Sequence, residues 1–309
     1  MVSIIVPTYN RSELLSNCID SLLNQNFSGE YEIIVVDNNS SDDIFNMVVL
    51  KVKSDDKLKY HLESRKGLVY ARHKGANCAN GEILIFVDDD GEYDRDCIQR
   101  IVDVYELNHN VAAVGGKIDI RWDREPENWV IEEESVLGKL NYGNEIVFSD
   151  KIFINGGLFS IKKSVLIEVG GFNPDQVGEY LVGDGETGLC MKLHKKEYLI
   201  GWTPFAQMQH IQFVSKNGTL KDLGRRYYNN GICESFAKAK KNNFKFTKDF
   251  FKYYLKLIGH VVKKELRNFG SPKSKKFYLN RYYNLGQLVF LKYYFDKEYI
   301  KTCKNNDWF

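Results

Sequence analysis

Asp88, Asp89 and Asp90 are three consecutive carboxylates at the end of an unbroken apolar run, Ile83-Leu84-Ile85-Phe86-Val87. Adjacent carboxylates repel one another unless positive charge sits among them, and a divalent cation held by their oxygens is the economical source of it. A run with no polar break is the pattern of a strand buried on both faces, as at the centre of a parallel sheet. In open α/β sheets ligands bind in the crevice beyond the carboxyl ends of the strands, where this triplet would lie. A second apolar run, residues 31–36, also ends on a carboxylate, Asp37. Taken alone, the triplet reads equally as a solvated acidic turn; two separate segments aiming acids at one rim favour the site.

The elements that must position these acids follow from periodicity. Residues 2–6 read as a first buried strand, broken by Pro7-Thr8-Tyr9-Asn10. A helix follows with Leu14, Leu15, Cys18, Ile19, Leu22 and Leu23 on one stripe, and Asn10 and Glu13 have the spacing of a capping box. With the strand ending at Asp37 this makes a right-handed, parallel βαβ unit. Residues 57–61 are a short strand, and 67–79 a helix rich in small residues. Ile98, Ile101, Val102 and Tyr105 mark a helix opened by Asp94, and 111–114 a strand closed by Gly115-Gly116. Residues 121–150 are less regular, and Glu132-Glu133-Glu134 reads as a solvated face. Residues 152–161 suggest strands around a glycine turn. Asp184-Gly185-Glu186 precedes a helix, residues 198–202 return as a strand, and His210 follows. From about Thr219 the texture changes to long, basic, aromatic helices in which Phe250, Phe251, Tyr254, Leu255, Ile258, Val261, Val262 and Leu266 recur at helical spacing.

The bulk numbers bound the class. A chain of 309 residues with 43% hydrophobic and 27% charged content is that of a globular protein of about two domains, or one large α/β domain with an extension. No apolar run reaches the roughly 18 residues of a membrane span, and the direct entry into a strand gives no sign of a signal peptide. Six scattered cysteines without a CxxC pair argue against a zinc site or a disulfide scaffold and suit a reducing cytoplasm. The net charge of +2 hides an asymmetry: residues 240–309 hold 17 Lys+Arg and 5 Asp+Glu, a net +12, leaving −10 for the first 239. An acidic body with a basic tail suggests a boundary near residue 219 and an anionic partner for the tail.

The order of motifs resembles the family-2 glycosyltransferases of GT-A fold. The resemblance lies in Val2-Ser3-Ile4-Ile5-Val6-Pro7-Thr8-Tyr9-Asn10-Arg11, then Arg65-Lys66-Gly67-Leu68, Ala71-Arg72, Gly81-Glu82 and the acidic triplet, then Asn155-Gly156-Gly157 and Val169-Gly170-Gly171-Phe172. It covers roughly residues 1–215, and several motifs in order are far more specific than any one. It implies a Rossmann-like, mostly parallel mixed sheet for residues 1–218, with residues 219–309 as a helical extension. It also implies a nucleotide-sugar donor, a UDP-sugar first, a divalent metal (Mn²⁺ or Mg²⁺), and an inverting transfer to a hydroxyl of a glycan or lipid-linked glycan. By the same resemblance Pro7, Thr8 and Tyr9 form the loop beside the donor base and Asp37 bonds that base. Asp88, with Asp89 beside it, serves the ribose side, Asp90 holds the metal, Arg65 and Arg72 are donor contacts, and His210 is a third metal ligand. Glu186 is the matching catalytic base. The adjacent Glu-Asp pair usual in the family is absent, so Asp184 is the alternative in a shifted register.

The chemistry asks for such groups independently. The leaving nucleoside diphosphate gains charge as the glycosidic bond breaks, which a metal ion stabilises. A sugar hydroxyl is a poor nucleophile and needs a carboxylate to take its proton, and substitution at an anomeric carbon passes through an oxocarbenium-like state. Two other readings compete. A nucleotidyltransferase or dinucleotide enzyme shares the βαβ start, but no GxGxxG follows the first strand. A non-catalytic sugar-nucleotide-binding scaffold is opposed by the full set of acids. The basic, aromatic tail suits a peripheral contact with an anionic membrane at the inner face, or packing within the chain or between copies; no nucleic-acid motif accompanies it.

Overall fold

The computed structural model of the chain describes residues 1–52, 55–173, 176–177, 180–181, 185–245, 247–267 and 274–304. Strand and helix alternate through the first part: β1 (Val2–Thr8), α1 (Ser12–Leu23), β2 (Tyr31–Asp37), α2 (Ile44–Val52), β3 (Leu58–Leu62), α3 (Leu68–Cys78) and β4 (Ile83–Val87). β1 pairs in parallel with β2 on one side and β4 on the other, and β2 with β3. All residues of β1 and β2 are buried, as their unbroken apolar runs require. Alternate residues serve opposite faces: Val2, Ile4 and Val6 join the core beneath α1, α2 and α4, whereas Ile5 joins the core beneath α3 and α7. Parallel pairing puts the carboxyl ends of β1, β2 and β4 on one rim, so Thr8, Asp37 and Asp88 emerge together.

The chain continues as β5 (Gly91–Tyr93), α4 (Cys97–Leu107), β6 (Val111–Trp122), α5 (Asn128–Ile131), β7 (Val147–Ser149), β8 (Leu158–Lys162), α6 (Lys163–Glu168), β9 (Gln176–Val177), β10 (Tyr180–Leu181), α7 (Gly185–Lys195) and β11 (Leu199–Gln212). The main sheet has nine strands in the order β3-β2-β1-β4-β8-β6-β11-β5, with β7 on β11. β8 runs antiparallel to both β4 and β6, while β6 and β11 are parallel. The sheet is therefore mixed, with β3-β2-β1-β4 as its parallel half.

Four local expectations are corrected. Gly115-Gly116 does not close a strand; β6 runs on through it to Trp122. The glycines are there for close approach: a Cβ on Gly115 would lie 2.4 Å from Ile154, and one on Gly116 2.4 Å from both the Ala206 carbonyl oxygen and Leu158. β11 likewise extends well past Trp202 and carries His210 within the strand. Glu133 and Glu134 are buried rather than solvated. Glu134 accepts from Trp122 Nε1 at 2.9 Å and Lys139 Nζ at 2.8 Å, and Glu133 from Lys276 Nζ at 2.6 Å and from the Tyr227 hydroxyl. The capping box does not form: Asn10 turns left-handed (φ 52°), its Oδ1 accepts from Ser41 N at 2.7 Å, and α1 starts at Ser12 without a side-chain cap.

The remainder is helical: α8 (Val214–Asn217), α9 (Leu220–Lys241), α10 (Lys248–Arg267), α11 (Lys275–Tyr294) and α12 (Lys297–Lys304). Thr219 caps α9 by accepting from Asp222 N, and Ser274 caps α11 by accepting from Phe277 N. Much of the aromatic stripe is core. Phe236, Phe250, Tyr254, Phe290 and Tyr294 bury one another, with the Phe250 and Tyr294 rings stacked at 4.5 Å. A second cluster of Val130, Leu137, Leu223 and Leu279 joins α9 and α11 to the segment after β6. No helix among the described residues is long and apolar enough to cross a membrane.

Candidate active site

The acidic triplet stands at the turn from β4 into β5, and backbone bonds fix its direction. Gly91 N donates to Asp88 O at 3.2 Å, and Ile211 N donates to Asp90 O at 2.9 Å. The buried Tyr93 hydroxyl lies 3.0 Å from Asp88 N and 2.9 Å from Gly157 O, so it ties the triplet to the glycine turn before β8. Pairing of β11 with β5 sets His210 opposite Gly91, which brings His210 Nε2 to 3.2 Å from Asp90 Oδ1.

One carboxyl-end cavity of about 560 Å³ collects most of the expected residues. Pro7, Thr8, Tyr9, Asp88, Asp89, Asp90 and His210 line it, together with Arg11, Asn38, Lys66, Leu68 and Arg226. One ligand atom each from Asp88, Asp90 and His210 falls within 4.8 Å of the others. Two carboxylate oxygens and an imidazole nitrogen suit a divalent cation that takes oxygen and nitrogen ligands better than a soft, thiolate-seeking metal.

The charges are arranged so that the acids can coexist. Arg11 Nη1 lies 3.0 Å from Asp89 Oδ1 and 2.7 Å from Asp90 Oδ2, so a guanidinium already neutralises part of the cluster. Asp89 also accepts from Thr8 Oγ1 at 2.7 Å. Its carboxylate is committed to bracing the end of β1 against β4. Burial, opposed by Arg11, lifts the Asp89 acid to about 6. Burial and the neighbouring Asp90 raise Asp88 as well. For Asp90 burial acts upward, but the bond and charge of His210 win and hold it low. Reciprocally, Asp90 raises the His210 imidazole against the effect of burial.

Glu186 sits in the first turn of α7 and reaches the triplet through one cation. Arg72, on α3, is fully buried and places Nη1 3.1 Å from Glu186 Oε2 and Nη2 3.7 Å from Asp88 Oδ1, with the Phe172 ring 5.1 Å beneath its guanidinium. Gly156 makes the room: a Cβ there would lie 2.4 Å from Arg72 Nη2 and 3.2 Å from the Glu186 carboxylate. Arg72 is therefore placed as a bridge between two acids rather than as a wall of the cavity. Asp184 lies outside the described residues.

Besides Arg72, two expected donor contacts stand apart from the cavity lining. Asp37 is buried, with its carboxylate accepting from Tyr60 OH and Ser40 N, both at 2.9 Å. Its neighbour Asn38 lines the cavity instead. Arg65 makes a bidentate pair with Glu63, two bonds of 2.9 Å, and stacks on Tyr70. Three cations at the cavity went unread in the sequence. Arg11 and Lys66 belong to quoted motifs but carried no assigned role. Arg226, on α9, lies far beyond the last motif and had no distinguishing neighbour. Arg226 Nε donates to Asn217 Oδ1 at 3.2 Å, Asn217 Nδ2 donates to Gln212 Oε1 at 2.7 Å, and Gln212 Nε2 lies 2.9 Å from His210.

Residues 3–170 match the family described as Glycosyl transferase family 2. A glucosyl-dolichyl phosphate glucuronosyltransferase from Haloferax volcanii is 30% identical over 201 residues, covering 63% of this chain and 64% of the relative. A GalNAc(5)-diNAcBac-PP-undecaprenol beta-1,3-glucosyltransferase from Campylobacter jejuni is 33% identical over 206 residues, covering 63% of this chain and 60% of the relative. The matched region thus spans under two thirds of the length of these relatives. Among solved structures, a mannosyltransferase from Pyrobaculum calidifontis in complex with GDP-mannose and Mn²⁺ superposes with a TM-score of 0.59 at 20% identity, covering 99% of this chain and 86% of that one. The fold is GT-A, and this chain carries an Asp-Asp-His cluster at the carboxyl-end rim of its parallel strands. The match over more than half the chain, falling on the strands that build this cavity, makes the protein a member of glycosyltransferase family 2.

Proposed function

We propose that the chain moves one sugar at a time, with inversion, from a nucleoside-diphosphate donor to a hydroxyl of a lipid-linked glycan, and that UDP is the nucleotide. The observation that carries this reading is the single arginine, Arg72, joining the acid cluster to Glu186. It couples a metal- and phosphate-facing side to a carboxylate able to act as base. Pro7, Tyr9, Asn38, Lys66 and Leu68 hold the nucleoside. Asp88, Asp90 and His210 hold Mn²⁺ or Mg²⁺, which when bound supplies Lewis-acid stabilisation of the departing diphosphate. Arg11 and Arg226 contribute further positive charge to the same wall. Glu186 takes the proton from the acceptor hydroxyl, and Arg72 keeps its carboxylate oriented.

We assign residues 1–218 to the catalytic unit and 219–309 to a helical extension that lends it Arg226. The lipid-linked acceptor is supported by the acceptors printed in the names of the two relatives, glucosyl-dolichyl phosphate and a PP-undecaprenol glycan. Work at the cytoplasmic, inner face of a membrane would follow from such an acceptor. The test is a panel of UDP-, GDP- and dTDP-sugars with and without Mn²⁺ or Mg²⁺, read by melting temperature and by release of nucleoside diphosphate. A stability rise that requires both one nucleotide class and metal, with nucleotide release, is the expected result. Binding without release, in the presence of lipid-linked acceptor, would favour a sugar-nucleotide-binding scaffold. No shift with any donor would overturn the reading altogether.

A further inference from the structure

The helix α10 keeps one apolar row outside the core. Phe250, Tyr254 and Leu257 are its buried face. Phe251, Leu255, Ile258, Val262 and Leu266 follow one another along a different face, with exposures of 49%, 52%, 43%, 52% and 70%. At 100° per residue these five fall within a narrow stripe, and Lys252, Lys256 and Lys263, all exposed, run beside it. The helix carries six Lys+Arg and two Asp+Glu over its 20 residues. Single exposed apolar side chains are ordinary on a protein surface; five in a row on one helix are not.

We propose that this face of α10 docks on an anionic bilayer, the apolar row entering the boundary between headgroups and acyl chains and the flanking lysines meeting lipid phosphates. Charge selects this occupant over a second copy of the chain. A two-fold contact that sets two α10 faces antiparallel would bring the two lysine bands together, and like charges oppose it. An anionic headgroup layer meets the same band with opposite sign, and α10 presents its row and band side by side, as an interfacial helix does. The inference deepens the lipid-linked-acceptor reading but does not depend on it, because vesicle binding requires neither donor nor transfer.

The experiment is flotation of the full chain with phosphatidylcholine vesicles, with and without phosphatidylglycerol, at low and high salt. Binding is expected only with phosphatidylglycerol, and most of it should be lost at high salt. The pair Leu255→Asp and Val262→Asp should abolish flotation, and Lys252→Glu with Lys256→Glu should weaken it by about fivefold or more per position. Both variants alter exposed positions and should retain the parent melting temperature and donor-induced stabilisation. A failure of transfer with intact flotation would strike the enzymatic reading alone. Equal binding to neutral vesicles would overturn the role given to the lysines. No flotation would overturn the proposal, and so would a dimer in light scattering that Leu255→Asp splits, which would make the face a contact between copies.

Discussion

Arg72 is the most deeply buried cation of the site. It is buried, backed by Phe172, given space by Gly156, and shared between Asp88 and Glu186. A guanidinium can address two carboxylates from one plane; an ammonium is a single point charge. Arg72→Lys should therefore fold, keep donor KM within a few-fold, and lose kcat by roughly 10–100-fold, because Glu186 loses its orienting partner. Steady-state kinetics decides: a raised KM at constant kcat would return Arg72 to donor binding. Glu186→Gln should cut turnover by roughly 10²–10⁴-fold, as for loss of a general base, while calorimetry finds nucleotide affinity little changed. If Glu186→Gln is active and Asp184→Asn is not, the register is shifted by two. Asp90→Ala should remove metal-dependent donor binding and transfer from a protein that still melts cooperatively; metal-dependent stabilisation that survives this change would sink the ligand assignment. At this scale the gathering of acids at one rim was legible because two separate apolar runs, residues 31–36 and 83–87, each end on a carboxylate, whereas the triplet alone reads equally as a solvated turn. The cations were not, since a surface arginine and a site arginine look alike until the fold puts one beside an acid.

At the scale of elements, one carboxylate secures the rear of the sheet. Glu32 on β2 is buried and accepts from Ser3 Oγ at 2.6 Å, Asn80 N at 2.6 Å and Asn80 Nδ2 at 3.0 Å, and it pairs with Lys59 Nζ at 2.5 Å. It thereby links β1, β2, β3 and the entry to β4. Burial acts to raise its acid, but the bonds from Lys59, Ser3 and Asn80 prevail and hold it at about 2. A group depressed on folding contributes stability that is fully present above its unfolded value and is lost as pH falls through the folded one. Stability should thus fall between about pH 4.5 and pH 2. Glu32→Gln should flatten that part of the profile and lower the melting temperature at pH 7; an unchanged slope in acid titration of the variant would refute the role given to Glu32. The packing of α9 on α11 rests on glycines. A Cβ at Gly231 would lie 2.1 Å from Tyr283 O, and one at Gly286 2.0 Å from Tyr228 O. Because both neighbours are backbone, Gly231→Ala or Gly286→Ala should destabilise by about 1–3 kcal/mol, measured by denaturant midpoint. The parallel strands were readable since burial on both faces demands unbroken apolar runs. β6 past Gly115-Gly116 was not, because glycine reads as a stop unless the neighbour that needs the space is known. Glu133 was misread as solvated because its partners, Tyr227 and Lys276, stand 94 and 143 residues further along the chain; Glu134 finds its partners nearer, in Trp122 and Lys139.

Across the whole molecule, the acidic body and basic extension are joined by that same division of charge. Lys276 pairs with buried Glu133 at 2.6 Å and Lys275 with Glu127 at 2.7 Å, beside the apolar cluster of Val130, Leu137, Leu223 and Leu279. The exposed Lys275–Glu127 pair is worth little, so the apolar cluster and the buried Glu133 carry the junction. The junction matters for the site because α9 brings Arg226 into the cavity beside Asp88, Asp90 and His210. Burial and the adjacent Arg225 push the Arg226 guanidinium downward while Asp90 opposes them. Its bond to Asn217 leads through Gln212 to His210. On the proposed function, a guanidinium placed there shares the charge of a diphosphate. Hydrogen bonds to charged groups contribute about 1.5–3 kcal/mol, so Arg226→Ala should weaken nucleoside-diphosphate binding by roughly 10–100-fold while leaving the phosphate-free nucleoside almost unaffected. Calorimetry with the two ligands separates the cases. An equal loss for both would mean that the substitution disturbs the cavity as a whole, and no loss for either would leave the extension without a part in donor binding. A selective loss of the diphosphate would establish that residues 219–309 complete the cavity built by residues 1–218.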